Sequence, residues 1–268
     1  MHYLLLQVII LSNSPAYGLI VPDDSRTLGL ACAGIMLADE ATAMPNQAAL
    51  AMVTKRCLSF GAANPFLIPG LASGNFSLCL PSKSGTIQLG FSSNGSGAYQ
   101  ERKIGLAFGK ALAGFLRAGI EMDYCTIRQY AGFGNLHALL PSLGLQVIPA
   151  RQLSVGIQLT NPAGQSYYPK GYRCLPQILR AGAGYSPGDG ILLCIEYQKE
   201  SHYRPVYCGG VEYNGNHKIS LRVGISSSQM VQYSFGLGFR GDHMRIYMAV
   251  CHHPVLGYSP SITMTFIP

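Results

Sequence analysis

The sequence predicts an all-β chain: a transmembrane antiparallel β-barrel of about 14 strands. Three observations point there. Apolar and polar residues alternate in segments of membrane-crossing length, the connections between segments are sorted by length, and charge is scarce. Of 268 residues, 48% are hydrophobic and only 12% charged, about half the charged fraction usual for soluble proteins. After the N-terminus no apolar run reaches about 18 residues, which excludes a bundle of membrane helices.

Residues 1–18, MHYLLLQVIILSNSPAYG, carry an apolar run from Tyr3 to Leu11 and then Ala16-Tyr17-Gly18, a small-x-small cleavage pattern. They read as an export signal in preference to a first strand, although no Lys or Arg stands near the start. From residue 55 onward, strand-like segments follow one another with almost no helix signal. They centre on Leu58, Leu78, Leu89, Leu106, Ile120, Leu143, Ile157, Ala181, Leu193, Gly210, Val223, Phe235, Met248 and Met264. In the segment 116–123, Leu116, Ala118, Ile120 and Met122 oppose Arg117, Gly119, Glu121 and Asp123. In 218–225, Ile219, Leu221, Val223 and Ile225 oppose Lys218, Ser220, Arg222 and Gly224.

The connections at 252–260, 199–205 and 161–176 are long, whereas those at 240–243, 214–217, 186–190 and 149–151 are short or tight. Barrels of outer membranes sort their loops this way, and soluble sandwiches have no reason to. The polar faces agree. Arg117, Glu121, Asp123, Arg180, Glu196, Glu212, Arg222 and Arg245 all lie opposite the apolar stripe. Enclosed in a lumen they would pair across strands, with Arg117 beside Glu121 and Asp123. These inward faces read as polar and offer no apolar conduit. Tyr124, Tyr185, Tyr197, Tyr213, Phe239 and Phe266 stand near strand ends on the apolar side, where aromatic girdles belong.

No motif carries chemistry. Gly236-x-Gly238-x-x-Gly241 runs along a strand into a hairpin with no helix after it, which makes it a small-residue face rather than a dinucleotide site. Adjacent His252 and His253 point opposite ways on a strand. No Gly-x-Ser-x-Gly elbow occurs, and neither an enzymatic role, a cofactor nor a metal is expected. The net charge of +7 comes from Lys and Arg scattered singly, which excludes a nucleic-acid patch. Eight cysteines read as packing residues, with Cys194 and Cys208, on facing strands and the same polar side, as the one candidate disulfide.

Residues 26–51 differ, being rich in Ala, Gly and Met. Gly29 to Gly34, Ala38-Asp39-Glu40-Ala41 and Asn46-Gln47-Ala48-Ala49-Leu50-Ala51, followed by strands such as Leu221-Arg222-Val223-Gly224-Ile225, resemble the exported Bacteroidetes barrels of the PorV and PorQ group, and more distantly the FadL transporters. The resemblance implies an outer-membrane barrel over 55–268 with residues 19–54 folded inside as a hatch that uses Asp39, Asn46, Gln47 and Leu50. It implies an accessory role in protein export or assembly, type IX secretion among such systems, with a protein partner and the bilayer as contacts. Tyr167, Tyr168, Tyr172 and Arg173 in the longest loop have a composition suited to that contact. The FadL side of the resemblance implies instead a transporter of a small hydrophobic ligand, with Phe60, Phe66, Leu67 and Ile68 near the hatch.

Overall fold

The structure is a computed structural model that describes residues 24–37, 45–97, 99–129, 135–167, 175–201, 203–215 and 218–268. The export-signal reading of 1–18 and the site candidates Asp39, Tyr168, Tyr172 and Arg173 lie outside these residues.

Fourteen antiparallel strands close into a barrel in which β1 pairs with both β2 and β14. In chain order they are β1 Cys57–Ala63, β2 Ser73–Ser82, β3 Gly85–Ser96, β4 Tyr99–Ala113, β5 Leu116–Gln129, β6 Asn135–Ala150 and β7 Leu153–Thr160. There follow β8 Ile178–Gly188, β9 Ile191–Glu200, β10 Val206–Tyr213, β11 Ile219–Ser227, β12 Val231–Arg240, β13 Met244–His253 and β14 Gly257–Phe266. Closure leaves no strand edge, the condition for placing a sheet in hydrocarbon.

Side chains alternate, and most of the large apolar ones face out. Ile120 is 58% exposed, Val223 54% and Ile195 67%. Glu212, Arg222 and Glu196 on the other faces are buried. A soluble fold would reverse this arrangement. The exposed belt is therefore the lipid contact, bordered at the rim of the tight turns by Phe115, Tyr185, Tyr213, Phe239 and Phe266, and toward the other rim by Tyr207, Tyr233 and Tyr258.

At the tight-turn rim the connections are residues 83–84, 114–115, 151–152, 189–190, 214–218 and 241–243. The opposite rim carries the two longest, 64–72 and 161–177. One expected long loop is short. β13 and β14 run on to His253 and Gly257, so only 254–256 connect them. His252 and Tyr258 meet across that ladder with ring centroids 4.8 Å apart and planes tilted by 49°, which carries the strands past the point where His-His-Pro suggested a loop.

The lumen is occupied. A short helix, α1 (Ser25–Gly29), is capped by the Asp24 carboxylate, which accepts from Arg26 N at 3.1 Å. It lies against β11 to β14, with Ser25 N donating to Thr263 Oγ1 at 3.0 Å. Residues 30–37 cross to Cys194, Val206 and Cys208 of β9 and β10, and a 3₁₀ helix, Gln47–Met52, packs on β3 to β6.

Candidate functional site

The walls of the lumen carry a track of glycines. Gly109 pairs in register with Gly119, Gly119 with Gly144, Gly156 with Gly182 and Gly210 with Gly224. Their missing side chains are where the N-terminal segment lies. A Cβ on Gly119 would sit 2.3 Å from Gln47 C, one on Gly144 2.1 Å from Asn46 Oδ1, and one on Gly156 2.3 Å from Ile35 O. Only glycine admits another backbone this closely.

Charged and amide side chains then fasten the segment. Arg26 Nε and Nη2 donate to Glu212 Oε2 and Oε1 at 2.8 and 3.0 Å, and Arg222 Nε donates to Glu212 Oε2 at 2.7 Å. Arg222 also lies over the Tyr247 ring, 4.7 Å from its centroid. Glu196 holds Arg180 at 2.7 Å and accepts from the backbone N–H groups of Gly34 and Ile35 at 2.8 and 2.9 Å. Ala31 and Cys32, at φ 54° and 71°, occupy the left-handed region just before those amides. Their strain is offset by the charge-assisted bonds to Glu196. Asn46 Nδ2 donates to Ile35 O and Leu145 O, both at 3.1 Å, and Gln146 Nε2 donates to Met36 O at 2.6 Å. Gln47 donates to Glu121 and accepts from Gln158 Nε2. Leu50 packs with Val53, Cys57, Cys79 and Ile267 near the tight-turn rim.

Several expected contacts differ. Arg117 reaches Gln146 Oε1 at 3.1 Å and has no ion pair among the described residues, because Glu121 is engaged by Gln47 and Asp123 lies 3.6 Å from Lys103. Arg245 faces inward near the rim, in register with Arg240, and its Nε has no hydrogen-bond partner among the described residues. Cys194 and Cys208 are free; Cys194 stands opposite Gly210 and Cys208 opposite Glu196, so the strands do not bring them face to face. Phe60 points to lipid at 52% exposure, and Phe66 is buried edge-on against His253, so these do not line one pocket with Leu67, which is exposed. Sequence reasoning passed over Arg26, Gln146 and Gln158, whose partners stand 29 to 186 residues away along the chain.

The lumen is also less polar than expected. Toward the long-loop rim, inward residues Cys125 and Ile127 of β5 and Leu136, Ala138 and Leu140 of β6 form an apolar cluster with Leu175 and Tyr167. Tyr167, expected as an exposed loop contact, is 2% exposed and helps roof this cluster. The signal was present in Leu136, Ala138 and Leu140, which alternate on the inward face. Beside the cluster, a cleft between β2 and β5 is lined by Asn75, Ser77, Gln88, Ser92, Lys103 and Glu121. The lumen thus has a packed apolar cluster under Tyr167 and Leu175, a polar cleft at its side, and a pinned segment across its middle.

No protein-family model matches the sequence, and no curated protein does. Solved structures do. The CymD monoaromatic hydrocarbon channel superposes at a TM-score of 0.67 with 13% identity over 92% of this chain and 98% of that one. The Pseudomonas putida toluene transporter TodX gives 0.63 with 10% identity over 88% and 95%. A Pseudomonas aeruginosa FadL homologue gives 0.63 with 12% identity over 92% and 99%. Nothing in these likenesses supports the PorV and PorQ side of the resemblance. The chain is an integral outer-membrane protein, a closed 14-stranded β-barrel with the fold of these FadL-type channels.

Proposed function

We propose that the protein carries small hydrophobic molecules across the outer membrane, with residues 24–53 acting as a hatch and a chamber opening at the apolar cluster of 125–127 and 136–140 as the first binding site. The observation that carries this reading is the inward apolar cluster of Cys125, Ile127, Leu136, Ala138 and Leu140 under Tyr167. An enclosed apolar surface inside an otherwise polar lumen binds apolar solutes by removing both surfaces from water. The structural neighbours, a monoaromatic hydrocarbon channel and a toluene transporter, support the same class of solute.

The test is binding of a monoaromatic hydrocarbon, toluene, to the purified protein in detergent. Leu136→Asp places a carboxylate in the chamber and is expected to weaken binding at least about tenfold, the effect of losing roughly 1.4 kcal/mol. The outward Leu139→Ala, three residues along the same strand, leaves affinity unchanged. Equal affinity in wild type and Leu136→Asp refutes the chamber. Recovery of a stoichiometric protein partner without toluene binding favours the accessory role instead.

A further inference from the structure

The single cations that look dispersed in the sequence are gathered by the fold. Among the described residues the tight-turn rim exposes Lys55, Arg56, Lys83, Lys110, Arg151 and Lys218. Arg240 and Arg245 stand opposite each other at the same rim, and its carboxylates are Asp189 and Asp242. Eight cations against two carboxylates leave a surplus of six, in a chain whose net charge is +7. Inside the lumen, by contrast, Arg26, Arg222 and Arg180 are paired with Glu212 and Glu196.

The placement is as telling as the count. Lys55 and Arg56 precede β1, Lys83 joins β2 to β3, Lys110 is near the end of β4, Arg151 joins β6 to β7 and Lys218 leads into β11. Five of them follow one another at intervals of about one to three strands over the arc from β1 to β7, and Lys218 stands four strands further on. Neighbouring turns are about 10 Å apart, twice the interstrand spacing. Cations spread over the arc from β1 to β7 and on to β11 cannot all close on one compact anion, and they suit a layer of many anions. The ring borders the aromatic girdle of Phe115, Tyr185, Tyr213, Phe239 and Phe266. Lys110 itself stands on the lipid-facing side of β4, on the same face as Leu112 at 60% exposure, so its methylene stem lies along the belt and its ammonium reaches the headgroup level.

We propose that this rim is a binding surface for anionic phospholipid headgroups of the leaflet it contacts, which fixes the depth of the barrel and selects its neighbouring lipids. Each cation is attracted by the surface potential within about one Debye length, so the effect is screened by salt.

The full chain is reconstituted in phosphatidylcholine bilayers containing phosphatidylglycerol and excised with its surrounding lipid by an amphipathic copolymer, and the retained lipids are quantified. Phosphatidylglycerol is expected at least about twofold above its bulk fraction. A variant with the six exposed cations replaced by Gln returns to the bulk ratio, whereas Arg102→Gln with Arg128→Gln at the opposite rim keeps the enrichment. Wild-type lipid at the bulk ratio, or equal enrichment in the six-Gln variant, overturns the proposal. So does an equal loss in the opposite-rim variant, which reports net charge alone. Should the six-Gln variant not fold, wild type decides by itself: enrichment that survives 1 M salt is not electrostatic and overturns the proposal, and enrichment that collapses there upholds it.

Discussion

At the residue scale the lumen is governed by a few pins. Glu212 serves Arg26 from the N-terminal segment and Arg222 from the wall at once, all three nearly without solvent exposure. Removing one charge from such a cluster strands the others in a low-dielectric site, at a cost of about 3–5 kcal/mol. Glu212→Gln is therefore expected to lower the urea midpoint of the folded barrel and to render residues near Arg26 susceptible to protease. Unchanged midpoint and protection would mean that the segment is held by packing alone. Gly119 tests the packing from the other direction. Its Cβ position lies 2.3 Å from Gln47 C and 2.5 Å from Ala48 N, so Gly119→Val has to displace the 3₁₀ helix. Ion conductance in planar bilayers should rise in that variant and stay at the wild-type level in Gly90→Ala, where nothing lies within 4 Å of the added carbon.

At the scale of the element, each strand separates lipid from lumen by a period of two. Val223→Arg places a cation on the outward face and should cost about 2–4 kcal/mol, the penalty for a charge facing the middle of a bilayer. Refolding into vesicles across a denaturant series measures it; a loss under about 0.5 kcal/mol, the surface-substitution range, would place Val223 away from lipid. All fourteen strands were legible in the sequence, because alternation such as Leu221, Val223 and Ile225 against Ser220, Arg222 and Gly224 is a local property. The β13–β14 turn was not, since only cross-strand pairing of His252 with Tyr258 shows that the ladder continues there. The partners in the lumen were illegible for a related reason. Glu196 and Arg180 were readable as inward charges, but their engagement with Gly34, Ile35 and Cys32 depends on how a distant segment threads the barrel. The cations at the tight-turn rim are dispersed in the sequence, and their sharing of one rim depends on barrel closure, which has no trace in local sequence.

At the scale of the whole molecule, a closed, lipid-facing barrel holds an inward apolar cluster beside a pinned segment, and the proposed function rests on that combination. An open diffusion pore would pass small polar solutes in proportion to size. Under the proposed function the segment fastened by Glu196, Glu212, Asn46 and Gln146 across the lumen opposes that flow, while the apolar surface at Ile127 and Leu136 takes up apolar solutes. The most direct measurement is the permeability of cells carrying the barrel, relative to cells without it, to labelled toluene and to a polar solute of similar size. The proposed function predicts faster toluene uptake with polar permeability unchanged. Equal acceleration of both solutes, or of neither, would contradict it.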